Sequence, residues 1–201
     1  MMRPLRVVGL DLSTAATGIA STHASTGEPQ LWTQVIDTSK RPLRVQTDII
    51  DMAVRRACGY GSGNRLIGAA RVDVVVLEGT FSRKSGSDYP LHHVRANVLQ
   101  WLWRMGIPVV DVSPATVKVW ATGSGATRGV NKVTKNKVIE ATIATYGHLL
   151  NIPRDDNACD ATALMSLGLA AYGQPLAPMP HGRAAEVIDG ICWPTLALEA
   201  A

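Results

Sequence analysis

The stretch Val72-Asp73-Val74-Val75-Val76-Leu77-Glu78 decides the fold. A β-branched apolar run of this kind, from Val72 to Leu77, suits a strand covered on both faces and therefore central to a sheet. It ends abruptly in a carboxylate. The same plan occurs near the N-terminus, where Arg6 to Leu10 is a short β-rich run ending at Asp11. Thr17–Ser21 and Leu31–Ile36 are predicted as two more strands, which make an antiparallel meander with the first. Ile107–Val112 is a fifth. Helices are predicted over Val45–Ala57, where Val45, Ile49, Met52 and Ala53 recur at helical spacing with Arg56 on the polar side, and over Leu91–Met105, closed by Gly106. Ser113 followed by Pro114 is an N-cap with proline at the first helical position, so a helix runs from there to about Ala121. Thr134–Tyr146 and Asn157–Ala171 complete the set, and Thr122–Val130 is a glycine-rich loop. The order β-β-β-α-β-α-β-α-α-α describes an α/β protein with a mixed five-stranded sheet and helices on both faces.

The bulk properties agree with one globular domain. The chain has 201 residues, 46% hydrophobic and 18% charged. That composition excludes disorder, collagen and coiled coil as the main plan, and the length allows a substantial core. No apolar run approaches the ~18 residues of a membrane span, and the N-terminus does not read as a signal peptide. Residues 1–172 form the domain. Pro175, Pro178, Pro180 and Pro194 mark 173–201 as a tail or wrap-around arm. Cys58, Cys159 and Cys192 are odd in number and lack metal spacing, so they read as reduced thiols of a cytoplasmic protein. The net charge is +4. From Ser113 to Ile139 the chain carries Lys118, Arg128, Lys132, Lys135 and Lys137 with no acidic residue, which is either a solvated face or a polyanion contact.

The acids carry the chemistry. Asp11 and Glu78 end apolar strands, and Asp156 and Asp160 are one helical turn apart on a helix otherwise small and apolar. Each alone has a plain structural use: a strand-end Asp caps a turn, and Asp155-Asp156 suits a helix N-terminus. Together they are costly unless compensated, because adjacent parallel strands bring their ends side by side. Oxygen ligands without a Cys or His cluster point to Mg²⁺ or Mn²⁺. Neither a P-loop nor a G-x-G-x-x-G fingerprint is present, so a nucleotide cofactor has no support.

Four segments in order resemble the RuvC-type Holliday junction resolvases of the RNase H-like superfamily: Val8-Gly9-Leu10-Asp11-Leu12-Ser13 with Thr17-Gly18, Leu77-Glu78-Gly79-Thr80-Phe81, Ser113-Pro114-Ala115-Thr116-Val117-Lys118, and Asp155-Asp156-Asn157-Ala158-Cys159-Asp160-Ala161. The resemblance spans about residues 6–171, and its last segment looks more like phage-type members. Two departures stand out. Asn157 occupies the position three before the last acid, where the housekeeping pattern has an acid, and Leu12-Ser13 replaces the usual Pro-Gly.

The resemblance implies an RNase H-like fold and two-metal phosphodiester hydrolysis of branched DNA, the four-way junction included, in a bacterial or phage-infected cell. It implies Asp11 as the ligand shared by two Mg²⁺ ions (Mn²⁺ substituting), with Glu78 and Asp160 on one each. Asp156 completes the site, or Asp155 if the helix is rotated. It implies Phe81 as an aromatic that wedges into the junction and Lys118, Lys132 and Lys135 as phosphate ligands, with Arg83, Lys84 and Arg128 as further DNA contacts. The helix with Leu99, Trp101, Leu102 and Trp103 is implied to be the homodimer interface; a buried core is the other reading of those residues, and which tryptophan faces the core stays open. His92 and His93 are surface or interface residues rather than ligands. Competing readings are a non-catalytic or RNA-directed member of the same fold, and an actin-like ATPase lobe, for which 201 residues are too few.

Overall fold

The computed structural model describes residues 3–24, 28–67, 71–79, 89–129, 132–178 and 183–196. Five strands, β1 (Val7–Asp11), β2 (Ala16–His23), β3 (Pro29–Asp37), β4 (Val74–Glu78) and β5 (Val109–Val112), form one sheet in the order β3-β2-β1-β4-β5. β1, β2 and β3 are antiparallel, whereas β1, β4 and β5 are parallel, so the sheet is mixed as the sequence predicts. The register Leu10↔Leu77 sets Asp11 beside Glu78 at the C-terminal edge of the two central strands. β4 begins two residues later than its apolar run. Asp73 lies before the strand, where its carboxylate accepts from the Arg3 guanidinium and the Arg6 amide.

Alternation along the strands sorts two cores. Val8, Leu10, Val75 and Leu77 face α1 (Leu43–Ala57) and α2 (Tyr89–Arg104). Val7, Val74, Val76, Val110 and Val112 face α5 (Asp156–Ala171), over which α3 (Pro114–Thr122) and α4 (Lys135–Tyr146) pack. α5 is apolar nearly all round because it is covered by the sheet on one side and helices on the other. It also approaches the sheet unusually closely. A Cβ on Gly9 would overlap the Ala161 carbonyl and lie 2.5 Å from the Met165 nitrogen, and one on Gly18 would overlap the Asn157 carbonyl. Both contacts are with helix backbone, so only glycine fits.

Two members of the expected interface set are corrected by burial. Trp101 and Leu102 lie inside the α1/α2 core. Trp101 donates its indole N–H to Asn64 Oδ1 at 2.9 Å, meets Tyr60 edge-on and lies under the Arg55 guanidinium. Their side chains are consumed within one chain, whereas Trp103 is 78% exposed and Leu99 is half-buried.

Beyond Tyr172 the described part of the tail lies against the α3 layer. A short α6 (Arg183–Asp189) packs on α3, and the Tyr172 hydroxyl donates to the Pro194 carbonyl beneath an edge-on contact with Trp193. No described helix is long and apolar enough to cross a membrane.

Candidate active site

β1 and β4 deliver two carboxylates to one sheet edge on the α5 face, since Asp11 follows Val7 and Gly9 at period two, and Glu78 follows Val74 and Val76. α5 crosses just there because Gly9 and Gly18 let its backbone settle on the strands. Its first two turns then place Asp156 and Asp160 above Asp11.

The helix start gives the two neighbouring aspartates different partners. Asp155 is the N-cap: its carboxylate accepts from the Asn157 and Ala158 amides at 2.9 and 3.2 Å and from Asn157 Nδ2 at 3.1 Å. All three bonds are accepted by Oδ1, which is committed to the helix end. Asp156 is instead the first residue of the helix and forms an ion pair with Lys135 at the start of α4.

The electrostatics are those of too many acids in too little water. Asp11 is buried; desolvation, then the charge of Glu78 and a hydrogen bond with it, hold its carboxyl well above the usual range. Burial first, then the charge of Asp160, pushes Glu78 up to about 7. Asp160 is also pushed up to about 7, by burial and then by Asp11 and Asp156. Lys118 and Lys135 oppose these shifts at Glu78 and Asp160. The hydrogen bond to Asp156 raises the Lys135 ammonium above its ordinary value.

Thus Asp11, Glu78, Asp156 and Asp160 share one electrostatic site, with Lys118 and Lys135 at its border. Lys132 and Arg128 are exposed on the loop side of α4. Phe81, Arg83 and Lys84 lie outside the described residues. Among the described residues no three acids stand close enough together to hold a metal ion as they are placed; Asp11, Glu78 and Asp160 interact through their charges, and Asp156 is paired with Lys135. The donor set nevertheless suits a hard divalent cation: all oxygen, with buried carboxyls whose ionised form added positive charge would favour.

Sequence reasoning misses Arg95. From α2 its Nη1 donates to the Glu78 carbonyl at 3.0 Å, and its Nη2 pairs with Asp111 on β5. The available signal is Asp111 itself, an acid inside the apolar run of β5 that meets the same criterion as the other strand-borne acids.

No protein-family profile matches the chain. It is 27% identical over 175 residues to the crossover junction endodeoxyribonuclease RuvC of Gloeobacter violaceus, covering 86% of this chain and 92% of that one. Among solved structures, RuvC of T. thermophilus in complex with a Holliday junction substrate superposes with a TM-score of 0.59 at 19% identity, over 85% of this chain and 98% of that one. The Fowlpox virus resolvase in complex with Holliday junction DNA gives 0.51 at 13%, over 80% and 94%. The sheet and its helices have the RNase H-like fold of these proteins.

Proposed function

We propose that this RuvC-like chain is a divalent-metal-dependent endodeoxyribonuclease that resolves four-way DNA junctions as a homodimer in the cytoplasm. The observation that carries this reading is the mutual charge interaction of Asp11, Glu78 and Asp160, brought from β1, β4 and α5 to the edge of the parallel strands in a chain of this fold.

Asp11, Glu78, Asp160 and Asp156 are the residues that would hold Mg²⁺, with Mn²⁺ as a substitute and Asp11 central among them. Bound there, two such ions would supply the positive charge that favours hydroxide formation from water and stabilises a leaving 3′ oxygen. The chain's own groups do the rest. Glu78 and Asp160 must be ionised to serve, and their elevated values make the site responsive to pH near neutrality. Asp156 becomes available as Lys135 turns from it toward a phosphate. Lys118, Lys132 and Arg128 hold the strand by its phosphates and fix its register without reading bases. Phe81, with Arg83 and Lys84 beside it, is assigned to stacking on a base freed at the branch point.

Resolution requires two strands to be cut, and one site cuts one strand. A two-fold dimer supplies the second site, and exposed Trp103 with half-buried Leu99 on α2 is the surface assigned to it.

The test compares four-way, three-way, flap and linear DNA in Mg²⁺, Mn²⁺ or EDTA on a gel. Paired cuts confined to branched substrates and abolished by EDTA are expected. Equal cutting of linear duplex, or cutting of nothing, refutes the reading.

A further inference from the structure

We propose that Arg95 is a positioning residue for Glu78, clamping the end of β4 to β5 from the face of the sheet opposite the acids. The proposal rests on the nuclease reading above and extends it to a residue outside the carboxylate cluster.

Glu78 is the last residue of β4, and Gly79 follows. The side chain of Glu78 points to the α5 face, so its carboxylate position depends on where the final peptide of the strand sits. Two bonds hold that peptide on the far side. The Gly79 amide donates to the Val112 carbonyl at 2.7 Å, and the Glu78 carbonyl accepts from Arg95 Nη1 at 3.0 Å. The other guanidinium nitrogen pairs with Asp111, which lies opposite Leu77 in the β4–β5 register. One planar group therefore spans the ends of two adjacent parallel strands.

α2 carries Arg95 beside the buried Val94, Val98, Trp101 and Leu102. The Arg95 side chain is 11% exposed, so it is too enclosed to serve as a phosphate ligand, and its charge is answered by Asp111. A guanidinium satisfies two acceptors in one plane, whereas an ammonium is a point charge that cannot keep both bonds in that geometry. Asp111, an otherwise unexplained acid in β5, has its role here.

Arg95→Lys, Arg95→Gln and Asp111→Asn test this, with Val98→Ala as a control that loosens α2 from its core without touching the clamp. Three quantities are read: Mn²⁺ affinity of the protein alone by calorimetry, junction affinity in EDTA, and the single-turnover cleavage rate against Mg²⁺ concentration. Supporting groups of this kind typically change cation affinity or activity about 10- to 100-fold. Arg95→Gln and Arg95→Lys are expected to weaken Mn²⁺ binding in that range and to raise the Mg²⁺ requirement of cleavage. Asp111→Asn should do so less, and junction affinity in EDTA should change by less than about twofold. Val98→Ala should lower the melting temperature and leave Mn²⁺ affinity unchanged. Should Arg95→Gln fail to fold, Arg95→Lys carries the test. Unchanged Mn²⁺ affinity in both Arg95 variants, or an equal loss in Val98→Ala, overturns the proposal. A wild-type protein that binds Mn²⁺ yet cuts no branched DNA overturns the nuclease reading while the calorimetry still judges the clamp.

Discussion

Glu78 and Asp160 are held at about 7, and Asp11 is raised as well. A carboxyl raised in the folded state binds more protons folded than unfolded between its ordinary value and its raised one, so its contribution falls as pH rises through that interval. The metal-free protein is therefore expected to melt at a lower temperature at pH 8 than at pH 5, by a few kcal/mol of stability across the interval. Glu78→Gln and Asp160→Asn remove that penalty. They should flatten the profile and raise the melting temperature at pH 8, while lowering cleavage by more than about 100-fold, the scale of lost transition-state charge stabilisation. A pH-independent wild-type melting curve in EDTA would contradict this. The basic residues behave differently. Each of Lys118→Ala and Lys132→Ala should reduce the salt slope of junction binding by roughly one, measured by fluorescence titration. Lys135→Ala should also free Asp156, and so strengthen Mn²⁺ binding by the protein alone even as it weakens DNA binding.

At the scale of elements, the site exists because α5 lies on β1 and β2 closer than any residue with a Cβ allows. Gly9→Ala places its methyl against helix backbone at Ala161 and Met165, which cannot rotate away as a side chain end can. The expected cost is about 1–3 kcal/mol of stability by denaturant unfolding, typical of overpacking, with cleavage lost out of proportion because Asp160 moves with the helix. Gly168 is a milder case, since its neighbours Val76 and Val7 are side chains. Normal cleavage by Gly9→Ala would show that the carboxylates tolerate helix displacement. The start of α3 was legible in sequence, with Ser113 capping it by accepting from the Thr116 amide; Thr134, expected as the first residue of its helix, is instead the cap of α4 and accepts from the Lys137 amide. Both are local bonds, satisfied within a few residues.

For the whole molecule, the two tryptophans of α2 separate folding from assembly. Trp101→Ala removes a core ring with its Asn64 bond and should cost about 3–5 kcal/mol of stability. Trp103→Glu should leave the melting temperature nearly unchanged, convert dimers to monomers in sedimentation, and yield nicked junctions without paired cuts. A dimer that survives Trp103→Glu would move the interface elsewhere on the surface.

Elements and candidate acids were readable in the chain because their causes are short-ranged: apolar runs, caps, a carboxylate where an apolar strand stops. Asp11 and Glu78 stood out as candidates on that basis, and Asp160 as an acid on an otherwise small and apolar helix. Which aspartate caps α5 and which pairs with Lys135, which tryptophan is buried, and which side chain meets the Glu78 carbonyl were decided by tertiary structure. Asp155 and Asp156 are separated by the point where the helix begins, Asp155 being an extended cap and Asp156 the first helical residue of a helix that docks on Gly9 and Gly18. Trp101 and Trp103 differ by two steps on a helix whose orientation is fixed by Tyr60, Arg55 and Asn64, far away in sequence. Arg95 meets Glu78 across 17 residues and Asp111 across 16. No local pattern records such a contact, because it forms only when α2, β4 and β5 are brought together by the core.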